Sequence, residues 1–168
     1  MLFRKQRNPY ELLSSLLVSI RVSKMRIENL SRRMDFRINE LRSKINALES
    51  SEVRNLSYTK ELEQLIRMRR SLETLSIILE RIVLRAETII VAKMGLDTMR
   101  PLVEALKEIK SKWNVNFPEI EESISSIINN LEELPIIERQ NQITAKEEAK
   151  RILEEAEETV RQKEKSKL

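Results

Sequence analysis

The chain has 168 residues and a formal net charge of +4, with 35% charged and 4% aromatic side chains, one glycine, four prolines, and neither histidine nor cysteine. That composition excludes disulfides and thiolate metal sites and removes the common nucleophile–base pairs, while Gly95 alone cannot build a glycine-rich phosphate loop. Many charges and few aromatics fit helices with thin apolar seams, and neither a cofactor nor enzymatic activity is expected.

The charge is unevenly spread. Residues 1–48 carry 11 Lys/Arg against 4 Asp/Glu, residues 49–97 carry 8 of each, and residues 98–168 carry 12 against 15. A basic front suits an anionic surface, and an acidic back is either kept off that surface or folds onto the front. The first eight residues form an arm in which Met1, Leu2 and Phe3 precede Arg4, Lys5 and Arg7. This order suits shallow insertion at a lipid headgroup boundary, and equally an ordinary frayed end. No stretch approaches the ~20 apolar residues needed to span a bilayer. The uncharged run Leu12–Ile20 continues at helical spacing beyond its end, so it reads as helix rather than as a secretion signal.

A first helix is expected over residues 9–49. Asn8 can cap it, Pro9 suits its first position, and Glu11 stands three residues after the cap. Its seam runs Leu13, Leu16, Ile20, Ile27, Leu30, Met34, Ile38, Leu41, Ile45, Leu48 in steps near three and four, with a stutter between Met34 and Ile38. The polar stretch Glu49–Ser57 reads as a turn. A second seam follows in Leu62, Leu65, Leu72, Leu75, Leu79, Ile82, Ala86 and Ile89, so two helices of similar length should pack as an antiparallel hairpin over about 9–97. The second helix carries a further stripe, Ile77, Leu84 and Val91, on the side opposite its seam. Either the C-terminal helices of the same chain or a neighbouring subunit should cover it.

Gly95 and Asp97 mark a break. Shorter helices are expected over about 98–134, one from Thr98 to Trp113 with Pro101 in its first turn and one from Pro118 to Pro135. Residues 135–168 form a linker and a last helix, opened by Thr144 and Glu147 and running to about Lys163. Its apolar edge, Ile152, Leu153, Ala156 and Val160, is thin, so the helix is expected to be a mobile docking or regulatory segment. The fold class is all-α.

The basic residues of the first helix form stripes. Arg26, Arg33, Arg37 and Lys44 fall within an arc of about 40° on one flank of the seam, with Arg21, Lys24, Arg32 and Arg42 on the other. Such rows serve an anionic bilayer, each cation contributing on the order of 1 kcal/mol, or are simply a solvated face. Nucleic acid would accept the same charges. However, Phe3, Tyr10 and Phe36 make no stacking platform, so it is not expected as a partner. The adjacent acids, such as Glu121 with Glu122 and Glu154 with Glu155, diverge on their helices and read as solvated.

An apolar-basic arm (Met1–Arg7), a basic first helix and a hairpin partner containing LETLSIILERIVLRAETIIVAKMG (Leu72–Gly95) are followed by a short helix, the Trp113–Pro118 junction and an isoleucine-rich helix. Over residues 1–134 this layout resembles the ESCRT-III proteins, in particular the archaeal cell-division proteins of the CdvB type. The resemblance implies filament subunits that polymerise with themselves and with paralogues on the inner face of anionic membranes, constricting necks in cell division or vesicle budding. It also implies disassembly by an AAA+ ATPase whose MIT domain grips short C-terminal motifs. Here the candidate docking or autoinhibitory segment is Leu134, Pro135, Ile152, Leu153, Ala156 and Val160, and it departs from the family's pattern: one proline is too few for the proline-type motif, and Glu147–Val160 supplies only part of the Leu/Arg pattern of the helical type. The different-class alternative is a soluble coiled-coil scaffold that pairs through its second helix and never meets lipid.

Overall fold

The computed structural model describes residues 8–48, 52–93, 95–112, 117–134 and 142–167, and among them there is helix and no strand. Helix α1 spans Pro9–Ala47 and α2 spans Glu52–Ala92. A 3₁₀ turn at Leu96–Met99 leads into α3 (Arg100–Lys112), followed by α4 (Pro118–Glu133) and α5 (Gln142–Ser166). The start of α1 is as the sequence suggests: the Tyr10 N–H donates to Asn8 Oδ1 at 3.1 Å, with Pro9 at the first helical position.

α1 and α2 pack antiparallel, so the expected hairpin is present. Leu13, Leu16, Ile20, Ile27, Met34, Ile38 and Leu41 of α1 are buried, as are Leu72, Leu75, Leu79, Ile82, Ala86 and Ile89 of α2. Near the turn the seam thins, and Ile45, Leu48, Leu62 and Leu65 are only partly buried. Two boundaries differ from the sequence reading. Residues 52–57, expected as turn, are already the first turns of α2, because with no glycine or proline there the polar residues propagate helix. Thr144 lies inside the first turn of α5 instead of ahead of it. The expected stop at Pro135 and the junction residue Trp113 lie outside the described residues.

The shorter helices complete one continuous core on the hairpin. α4 lies on α1, where the Ser23 and Ser123 hydroxyls hydrogen-bond to each other across the contact. α3 contacts α2, α4 and α5, contributing buried Leu102, Val103, Ala105 and Leu106. α5 runs antiparallel to α2, with Arg81 paired to Glu155 (2.8 Å) and Arg70 to Glu164 (2.7 Å). Its edge is wider than the sequence reading allowed: Ala145 and Ala149 join Leu153, Ala156 and Val160 in burial. Alanines carry little side-chain bulk, so the helix approaches closely and buries a stripe that looked too thin to dock. The expected mobile segment is thus packed in cis on α2 and α3; its backbone stays clear of α1, while Lys163 lines a groove together with Lys24, Arg32 and Asp35 of α1.

Ile82 is fully buried in the middle of the α1–α2 seam. Ile82→Ala should lower the unfolding free energy by about 2–5 kcal/mol, as seen in a urea titration followed by circular dichroism.

Candidate interaction faces

The long hairpin presents two outward edges, each opposite its own seam. On the flanks between edge and seam, ion pairs tie the helices together in antiparallel order. Arg21 pairs with Glu87, Lys24 with Glu80 (3.7 Å), Arg69 with Asp35, and Arg37 with Glu61 (2.9 Å). Near the turn, the Lys44 ammonium stands 3.3 Å from Glu40 and 6.0 Å from the centre of the Tyr58 ring. At the open end, the Lys93 ammonium sits 4.6 Å over Tyr10.

Two of these arginines are centres of small networks. Arg37 donates to Glu40 (2.8 Å) and Glu61, and those bonds, Glu40 first, raise its pKa above the ordinary value. Glu40, bonded by Arg37 and then by Lys44, is held below the usual carboxylate range. Arg69 bridges Asp35 on α1 and Glu73 on α2. Burial opposes its charge, but the hydrogen bond and charge of Asp35, with those of Glu73, outweigh that cost and leave its pKa raised. Exposed pairs of this kind contribute about 0–1 kcal/mol each and can exchange partners readily.

The cations expected to face lipid therefore divide into two groups. Arg21, Lys24, Arg37 and Lys44 are engaged with acids of the same chain. Arg26 and Arg33 are exposed and form no ion pair among the described residues, and Arg32 and Arg42 share that state. Leu2, Phe3, Arg4, Lys5 and Arg7 lie outside the described residues. The same helix holds exposed apolar residues that the sequence reading passed over, Val18, Val22, Met25 and Phe36. Their signal was the 18, 22, 25 spacing beside the stronger seam.

On α2, Ile77 is partly buried against the core, while Leu84 and Val91 are 57% and 84% exposed. Cover by helices of the same chain, one of the two readings of this stripe, does not reach Leu84 or Val91, because α3 and α5 pack on the side marked by Thr74 and Ile78. In the C-terminal segment, Leu134 is buried, as are Leu153, Ala156 and Val160, with Ile152 partly so; Pro135 lies outside the described residues. A partner that reads the apolar face of α5 must first free it from α2 and α3.

Among the described residues, no helix is long and apolar enough to cross a membrane, and no cluster of three or more acids is placed to hold a metal ion.

Over 160 residues the chain is 30% identical to Cell division protein B3 of Sulfolobus acidocaldarius, a match that covers 89% of this chain and 90% of that protein. It belongs to the CdvB type of the ESCRT-III family. No family model and no solved structure matches the chain. The match covers more of the chain than residues 1–134, to which the sequence resemblance was limited.

Because Leu84 is exposed, Leu84→Asp should stay folded, within about 0.5 kcal/mol of the parent in urea unfolding, whereas Ile82→Asp, which places an unpaired charge in the seam, should unfold.

Proposed function

We propose that this CdvB-type chain is a filament subunit of an archaeal membrane-remodelling machine that serves cell division, with α1 facing an anionic membrane and the Leu84–Val91 stripe of α2 meeting the next subunit. The observation that carries this reading is the pairing of a row of unpaired arginines (Arg26, Arg32, Arg33) on one hairpin edge with an uncovered apolar stripe on the other. The relative's name, a cell division protein, supplies the process. A soluble scaffold would use the α2 stripe equally well but has no need for arginines held free of acids.

With α1 on the membrane, the Leu84–Val91 stripe meets a different face of the next subunit, and such a heterologous contact leaves an open edge at each end, which is the geometry of a filament. Paralogous subunits with similar edges could join the same polymer. α5 bears on this contact, since its Glu155 pairs with Arg81, one turn from Leu84, and the docked helix stands beside the α2 edge. An MIT-domain ATPase that bound α5 would have to detach it first, which couples recruitment to the release of that edge.

The membrane assignment predicts that the protein floats with anionic but not neutral liposomes, with attachment weakened as salt screens the charges. The Arg26→Glu, Arg32→Glu, Arg33→Glu variant should lose most flotation while keeping its helix content, because none of the three arginines holds the hairpin together. Unchanged flotation would remove α1 as the lipid face. Arg37 is left out of the variant because its reversal would also break the Glu40 and Glu61 contacts.

Removing residues 138–168 should hasten assembly, measured as the onset of light scattering at matched salt, while leaving the liposome affinity of the α1 face unchanged, because docked α5 leaves Arg26 and Arg33 exposed. Equal onset times would make α5 a docking segment without a braking role.

A further inference from the structure

The exposed apolar residues of α1 form a second component of the face assigned above. At 3.6 residues per turn, Val18, Val22, Met25 and Phe36 lie within an arc of about 60° centred opposite the buried seam, along roughly 27 Å of helix. Met25 is 62% exposed and Phe36 75%. Around this stripe stand Arg26 and Arg33 on one flank and Arg21 and Arg32 on the other. Of the acids of α1, Glu28 pairs with Lys24 and Asp35 with Arg69 of α2, both turned away from the stripe, while Glu11 lies two turns ahead of Val18 and Glu40, one turn beyond Phe36, is held by Arg37 and Lys44. From a neighbouring element, Glu122 of α4 faces the stripe across a groove from Arg26, with no ion pair between them among the described residues.

An apolar strip bordered by arginines is the pattern of a helix that lies in a bilayer interface, with side chains in the acyl boundary and guanidinium groups at the phosphates. We infer that α1 binds an anionic lipid surface by inserting Val18, Val22, Met25 and Phe36 between the headgroups, so that attachment has an apolar, salt-resistant component and is strongest where lipid packing is loose. This rests on the lipid-facing reading of α1 given above. Charge favours lipid over the α2 stripe of a second copy as the occupant. A partner needs acids to meet these arginines, and the acids beside that stripe, Glu80 and Glu87, already pair with Lys24 and Arg21. A phosphate-rich surface supplies such acids without limit. The sequence reading treated attachment through α1 as purely electrostatic, and salt would then release the protein completely.

The test compares three properties. First, the Val22→Ser, Met25→Ser, Phe36→Ser variant keeps every arginine and changes only exposed positions. It should bind anionic vesicles about tenfold more weakly, with the deficit persisting at high salt where the parent retains residual binding. Second, the parent should prefer small, highly curved vesicles over large ones of the same composition, and the triple serine variant should show less preference. Third, Phe36→Trp in a Trp113→Phe background should shift its emission to the blue on anionic vesicles and be quenched by lipids brominated in their acyl chains. Parent-like binding by the serine variant together with an unquenched tryptophan would overturn insertion while leaving electrostatic attachment standing. No binding of the parent to anionic vesicles would overturn the lipid-facing reading and the inference with it. Intact vesicle binding by the serine variant, with loss of self-association in solution by sedimentation, would assign the stripe to a second copy and also overturn the inference.

Discussion

The antiparallel seam between α1 and α2 is the interaction on which every other element depends. Neither helix could hold its length alone in water, since most helical stability in proteins comes from burying an amphipathic face. Zipped together, they bury a row of leucines and isoleucines from Leu13 to Leu41 on one side and from Leu72 to Ile89 on the other. This rod is the only surface long enough to seat three shorter helices at separate places: α4 on α1, and α3 and α5 on α2. The packing is concentrated toward the open end of the hairpin, where the shorter helices gather. Toward the turn the side chains are half-exposed, and ion pairs and ring contacts such as Arg37–Glu61 and Lys44–Tyr58 take over from apolar burial.

Much of this was legible in the residues because one physical signal, apolar spacing at 3.6 residues per turn, dominates a chain almost free of glycine and proline. The seam positions, the Asn8 cap and the antiparallel pairing all follow from it. The start of α2 was less legible, because a polar, serine-rich stretch looks like a turn when no apolar periodicity contradicts it, yet nothing in residues 52–57 forbids helix. The docking of α5 was missed for a different reason. Alanine counts little in an apolar pattern, but Ala145, Ala149 and Ala156 bury fully by letting the helix backbone come close.

The interaction faces show the limit of one-dimensional reading most clearly. A helical wheel places Arg26, Arg33, Arg37 and Lys44 on a common flank, but it cannot show that Glu61 of the other helix meets Arg37 while no acid among the described residues pairs with Arg33. Which cations stay free depends on where a partner helix brings its acids, and that is set by hairpin register. The exposure of Leu84 depends likewise on where α5 settles, and Arg81 with Glu155 marks that boundary one turn away.

The three-way bond of Arg69 with Asp35 and Glu73 has a consequence for how the molecule senses its surroundings. Guanidinium keeps its proton throughout the range in which proteins work, and the chain contains no imidazole or thiol to change charge near neutrality. The clasp at the middle of the hairpin is thus built without the residue types that ordinarily switch charge near neutrality. What does weaken the clasp is the screening of its charges by salt.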